Sequence, residues 1–249
     1  MNQRRRNVLP LNKVKVDDFF WNKYTRLVTD QIIPYQWEAL NDRVEDAEPS
    51  HCIKNFEIAA GLREGEFKGA VFQDTDLAKW LEAVAYSLAY EPDAELEKRA
   101  DAMIDLIGKA QQPDGYLDTY FIIKEPDKKF CNLREGHELY TAGHFMEAAV
   151  AYYQVTGKEK FLHIMQRVAD LICEVFHQEA FQQAVPGHEE VEIGLIRLYQ
   201  VTGERRYLEM AKDFVDTTVE PVVTYESGLL GGTDVIRLSG KRMDAEAWS

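Results

Sequence analysis

The stretch Gly136-His137-Glu138-Leu139-Tyr140-Thr141-Ala142-Gly143-His144 gathers two imidazoles, a carboxylate, a phenol and a hydroxyl. Ala, Met, Val and aromatic residues recur at helical spacing from there to Thr156, so these polar groups crowd the first two turns of an apolar helix. At about 3.6 residues per turn His137, Thr141 and His144 project from nearly one side, with the two imidazoles about 10 Å apart along the axis. That is too far for one metal ion, and the stretch lacks the His pair at i and i+4 beside a glutamate base that a zinc helix needs. A cluster of rings and a carboxylate at a helix start suits hydrogen bonding to a polar ligand. A bland reading stands beside it, in which His137 caps the helix and His144 is satisfied in a core.

Other residue sets carry possible chemistry. Gly187-His188-Glu189 repeats the Gly-His-Glu tip later in the chain. Asp74 and Asp76 at one tip could face Glu189 and Glu190 at another, and a separation of about 5 to 9 Å would permit two-carboxylate glycosidase chemistry. The alternative is that Asp74 caps its helix and the glutamates favour a helix dipole. Tyr140 belongs with Trp80, Tyr116 and Tyr153 among aromatics that could stack on sugar faces, although aromatics at this spacing also build cores. Cys131 lies near Lys128, Lys129 and Arg134, but no base is paired with it, and a packed thiol is the simpler reading.

The chain of 249 residues is long enough to bury a sizeable core. Its net charge of -14 repels nucleic acid and anionic lipid, which excludes both as partners. Three widely spaced cysteines, Cys52, Cys131 and Cys173, form neither a disulfide framework nor a CxxC site, so a reducing, cytoplasmic compartment is expected. No apolar run approaches a signal h-region or the 18 or so residues of a membrane span.

The elements that must position these residues read as follows. Residues 11 to 21 alternate as a short edge strand, and Asp17 or Asp18 then caps a helix from about Phe19 to Ile32, ended by Pro34. Residues 51 to 73 read as a loop broken by Gly61, Gly65 and Gly69 and pinned by phenylalanines at 56, 67 and 72. Helices follow from Asp74 to about Tyr90 and from Ala94 to Gln111, then a Gln112-Pro113-Asp114-Gly115 turn and an extended Tyr116 to Phe121. Beyond the central helix, others span Glu159 to Phe176, Pro186 to Val201 and Glu204 to Thr218.

This region repeats. Tyr153-Gln-Val-Thr-Gly and Tyr199-Gln-Val-Thr-Gly recur 46 residues apart, each joining an apolar helix to an amphipathic one. Repeats of this length are stacked helix pairs. They either stay open as a superhelical binding scaffold or curl into an α/α toroid whose inner helices point their starts at one pocket. The alike tips favour the toroid. A carboxylate-based toroid hydrolase or lyase of uronic-acid sugars would need a basic subsite near Asp74 or Glu189, and none is visible near the tips.

The run Asp74-Thr-Asp-Leu-Ala-Lys-Trp-Leu-Glu-Ala, then Gln112-Pro-Asp-Gly-Tyr-Leu, Phe130-Cys-Asn-Leu, His137-Glu-Leu-Tyr with Gly143-His144, Pro186-Gly-His-Glu-Glu and the two Thr-Gly turns resemble glycoside hydrolase family 127, the β-L-arabinofuranosidase family. Val16-Asp-Asp-Phe-Phe-Trp and Ile33-Pro34 are similar to that family's start, so the resemblance spans about residues 14 to 220. It implies an (α/α)6 barrel and retaining hydrolysis of a terminal β-L-arabinofuranoside. It further implies a zinc-held cysteine nucleophile, two more cysteines and a glutamate as the other zinc ligands, and a separate glutamate as acid/base. The histidines matching His137 and His188 are implied to hydrogen-bond the sugar, with His144 packed behind. The family's zinc ligands and acid/base lie downstream of the part this chain contains, and the sequence from Gly228 no longer looks like the family.

The expectation is therefore an all-α, incomplete (α/α)6 barrel of about three hairpins: a lead-in over 1–73, hairpins over 74–220 and an atypical tail over 221–249. It should be a truncated glycosidase with no catalytic residue, metal ligand or cofactor of its own. Its partner should be a carbohydrate, and the apolar seam left where further hairpins would pack is expected to drive self-association.

Overall fold

The computed structural model describes residues 13–181, 184–219, 221–226 and 235–240. Its regular part is built by the repeat. Helix α1 spans Phe19–Leu27, a π turn Val28–Ile32, α2 Ile33–Leu40, α3 Cys52–Ala59, α4 Asp74–Tyr90, α5 Ala94–Ala110 and α6 Thr119–Ile123. Then come α7 Glu138–Thr156, α8 Lys160–Phe176, α9 Val191–Thr202, α10 Arg205–Val219 and the strands β1 Pro221–Glu226 and β2 Val235–Gly240.

Three hairpins, α4–α5, α7–α8 and α9–α10, carry the core as part of an α/α toroid. The first helix of each belongs to an inner layer in which α7 packs against α4 on one flank and α9 on the other, while α8 packs against α5 and α10 outside. Composition explains the layering. α7 buries Leu139, Phe145, Met146, Val150 and Tyr152 together with four alanines and Gly143, because small residues let neighbours approach on both sides. α8 instead buries one stripe, Phe161, Met165, Val168, Ile172 and Phe176, as an amphipathic outer helix should.

The two Thr-Gly joints are copies in bonding as well as in sequence. Gly157 (φ 72°) and Gly203 (φ 74°) end their helices left-handed, where a side chain would be strained. Each donates its N–H to the tyrosine carbonyl four residues back at 2.8 Å. Thr156 and Thr202 each return their hydroxyl to a helical carbonyl at 2.7 Å and accept the N–H two residues on.

Several expectations are corrected. Residues 14–17 form no strand; Asp18 caps α1 by accepting from the Trp21 N–H at 2.7 Å. Pro34 does not end the helix. The π turn donates the Ile33 N–H to Val28 carbonyl, and Pro34 falls in the first turn of α2, where its missing N–H breaks no bond. The supposed loop after residue 51 contains α3, started by left-handed His51, with Phe56 in the core and Phe67 buried while Phe72 is exposed. Backbone after Asp118 is helical rather than extended, since Asp118 caps α6 through the Phe121 N–H. Pro186–Glu190 forms a turn ahead of α9 and not its first turn. The tail, expected only to be atypical, contains the antiparallel pair β1–β2, in register from Pro221 opposite Gly240 to Glu226 opposite Val235.

Among the described residues, uncovered apolar side chains include Ile193 and Ile196 on α9 and Phe19, Phe20, Trp21 and Tyr24 on α1. Among the described residues no helix is long and apolar enough to cross a membrane.

Candidate functional site

His137 immediately precedes α7 in a left-handed conformation (φ 56°, ψ 15°), and its side chain does not cap the helix. Its Nδ1 instead meets the Glu135 carbonyl at 2.7 Å. This turns the imidazole toward the next hairpin, where its centroid lies 4.5 Å from that of His188 with the planes 31° apart. Tyr140 completes the cluster, 5.9 Å from His137, 5.3 Å from His188 and 4.5 Å from His144. Lys79, from α4, donates to the Tyr140 hydroxyl at 3.0 Å, and the Phe72 ring covers His137 at 5.0 Å.

Close backbone packing explains why the two tips meet. A Cβ at Gly143 would lie 2.6 Å from the Glu190 carbonyl oxygen, and one at Gly187 would lie 2.6 Å from that of Leu133. Only glycine lets the 187–190 turn rest against both α7 and the loop before it. His188 is delivered by this turn, and its Nε2 is buried with no hydrogen-bond partner.

Behind the tip lies a buried acidic group. Glu138 accepts from the Tyr116 hydroxyl and from the Phe130 N–H, the latter at 2.9 and 2.8 Å to its two oxygens. Burial pushes its carboxyl up to about 7. Asp74 accepts from the Thr119 N–H at 2.7 Å and hydroxyl at 2.5 Å; burial, partly offset by those bonds, raises it to about 6. Burial first, then the charges of Asp74 and Glu138, also pushes Asp118 up.

The four carboxylates of the two-acid reading have separate surroundings. Asp74 is turned away to Thr119 and caps nothing in its own helix, whose N-cap is Gln73. Asp76 takes the Gln73 amide at 2.6 Å, Glu189 is exposed, and Glu190 faces His144. Trp80 stacks on Trp37 and donates to Ile33, Tyr116 serves Glu138, and Tyr153 packs on the core, so of the four aromatics only Tyr140 reaches the cluster. His144 lies beside Tyr140 with its side chain 14 % exposed, and burial followed by the Lys79 charge brings it down to about 4, leaving it neutral at physiological pH.

Sequence reasoning missed Lys79, the basic residue said to be absent near the tips. It stands one turn beyond Asp76, and helical spacing alone would have placed it on the same face.

The described residues do not fit the zinc that the family resemblance implies. Cys52 and Cys173 are buried on α3 and α8, Cys131 is exposed in a loop, and no three His, Cys, Asp or Glu side chains among the described residues converge. What the cluster offers is imidazole rings in contact, a phenol and one ammonium where the two tips meet, groups suited to hydroxyls and to the face of a sugar ring.

Residues 13–243 match the family model for the β-L-arabinofuranosidase GH127 catalytic domain, so the likeness continues past residue 220, where the sequence reading ended it. The chain is similar to the non-reducing end β-L-arabinofuranosidase of Bifidobacterium longum subsp. longum, 41% identical over 220 residues that make up 82% of this chain and 33% of that protein. The crystal structure of a GH127 β-L-arabinofuranosidase from Geobacillus stearothermophilus T6 superposes with a TM-score of 0.80 at 57% identity, over 82% of this chain and 32% of that one. Another solved GH127 β-arabinofuranosidase gives 0.76 at 34% identity, over 84% and 34%. The chain thus spans about a third of the length of these relatives. With the family model matched over residues 13–243 and 82% of the chain covered by a solved member at 57% identity, the chain belongs to glycoside hydrolase family 127.

Proposed function

We propose that this chain recognises a terminal β-L-arabinofuranoside through His137, His188 and Tyr140, with Lys79 at the edge of the site, and that by itself it binds the sugar without hydrolysing it. The observation that carries the reading is the pair of imidazoles 4.5 Å apart, one of which keeps a buried Nε2 with no partner. A buried, unpartnered ring nitrogen costs free energy until a hydroxyl meets it. The relatives that share this part of the fold are β-L-arabinofuranosidases by name, which supports the choice of sugar.

The absence of turnover follows from the chemistry of the residues around the two rings. Retaining hydrolysis needs a nucleophile on one side of the anomeric carbon and a proton donor at the departing oxygen. Burial pushes the Cys52 and Cys173 thiols up, away from the thiolate a nucleophile needs, and Glu138 and Asp74 are consumed by structural hydrogen bonds. Calorimetric titration of the purified chain with methyl β-L-arabinofuranoside should show saturable binding, while an aryl β-L-arabinofuranoside should release no phenol. Any turnover by the purified chain would overturn the non-catalytic half of the reading, and no binding would overturn the other.

The uncovered Ile193 and Ile196 on α9 support self-association as part of the same proposal. Sedimentation of the chain and of its Ile193→Lys variant would separate an associating species from a monomer.

A further inference from the structure

Besides its backbone packing, the turn that carries His188 meets α7 through a side-chain contact. His144 Nδ1 stands 3.2 Å from Glu190 Oε1, with the two side chains only 14% and 18% exposed. The Glu190 N–H donates to the His188 carbonyl at 3.0 Å, so the carboxylate and the His188 ring belong to one tight turn. The missing Cβ at Gly143 lets that turn settle onto α7 directly beside His144. Tyr140 links the two rings, edge-on to His144 at 4.5 Å and tilted against His188 at 5.3 Å. His144 Nε2 is buried and has no hydrogen-bond partner, which leaves Nδ1 as the nitrogen that meets the protein. A neutral imidazole facing a carboxylate keeps its proton on the facing nitrogen.

We propose that His144 and Glu190 are a positioning pair for His188: His144 Nδ1–H donates to the Glu190 carboxylate, Nε2 is left as an acceptor, and the bond fixes the place and tilt of the His188 ring opposite His137. The purpose of that arrangement rests on the sugar-site reading, whereas the arrangement itself does not. Burial pushes the His144 imidazole down, which favours a neutral donor over a charged one at this 3.2 Å contact. Neither residue needs to touch the sugar.

Long-range proton–nitrogen spectra of the imidazoles in the full chain, recorded without sugar, test the pair. The unsubstituted protein should show His144 neutral with the proton on Nδ1. In His144→Asn the side-chain amide stands where Nδ1 stood, and in Glu190→Gln the amide oxygen still accepts; both should leave the His188 signals in place. In His144→Gln, whose amide reaches the Nε2 position instead, and in Glu190→Ala, the His188 signals should move. Titration with methyl β-L-arabinofuranoside should then follow the same order, with the first two variants within about twofold of the unsubstituted chain and the last two weaker by about tenfold, the effect of one lost hydrogen bond.

A proton on His144 Nε2 in the unsubstituted chain would overturn the pair without recourse to any variant. Equal displacement of the His188 signals in His144→Asn and His144→Gln would also overturn it, because simple loss of packing predicts no rescue by asparagine. Failure of the unsubstituted chain to bind the sugar would overturn the proposed function alone, since the tautomer and the His188 signals are read in its absence.

Discussion

Two hairpin tips start from the same three residue types and are anchored in opposite ways. In Gly136-His137-Glu138 the histidine adjoins its helix and the glutamate, 3% exposed, is clamped by Tyr116 and Phe130. In Gly187-His188-Glu189 the histidine stands three residues ahead of α9, the glutamate is exposed, and the backbone presses against Leu133 and α7. The first tip is held by its own carboxylate and the second by what it leans on. The two are also linked, because Glu138 fastens the loop at Phe130 on which Gly187 rests a few residues later. A repeated tripeptide therefore yields one primary anchor and one dependent one, and the rings converge only because the dependence runs through a shared loop.

The contrast is broken most forcefully at Glu138. Glu138→Ala leaves the Tyr116 hydroxyl and the Phe130 N–H without their acceptor, at an expected cost of about 3 kcal/mol in denaturant unfolding. His188 should also lose its place, visible as movement of its ring signals although the substituted residue belongs to the other tip. Gly143→Ala comes next. Its methyl group would collide with the Glu190 backbone, and overpacking of this kind costs about 2 kcal/mol in the same measurement.

The pH dependence of stability sharpens the same point. Glu138 at about 7 and Asp74 at about 6 hold their protons in the folded state after the unfolded chain has released them near pH 4. The folded state thus binds more protons over this window, so the stability contributed by these groups is fully present below about pH 4, falls as pH rises to about 7, and is level above that. Denaturation midpoints measured between pH 4 and 8 should trace this decline, and Glu138→Gln should flatten its upper half. His137→Ala, by contrast, should cost little stability while weakening methyl β-L-arabinofuranoside about tenfold, near 1.4 kcal/mol, in calorimetry. The smallest effect is expected at Glu189→Gln, within about 0.5 kcal/mol of the unsubstituted chain; a loss rivalling that of Glu138→Ala would erase the difference between the tips.

The hairpins were legible in the sequence because their signals are local and periodic. The apolar stripes of α4, α5 and α8 and the two Thr-Gly joints leave little room for another reading. The features that escaped it are decided by contacts distant in sequence. Asp74 looks like a helix cap until Thr119, 45 residues away, takes both its oxygens. Pro34 looks like a terminator until a π turn absorbs the missing bond. The matching Gly-His-Glu tips are visible in the sequence, but the contact of His137 with His188 and the means of achieving it, two glycines and a histidine against Glu190, leave no periodic trace.

The convergence of the two imidazoles is tested most directly by following both ring signals in one titration of the full chain with methyl β-L-arabinofuranoside. The expected result is that the His137 and His188 resonances, already joined by a ring-to-ring Overhauser effect in the free chain, shift together along a single binding curve. Rings with no such effect between them, or only one of them responding to saturating sugar, would contradict it.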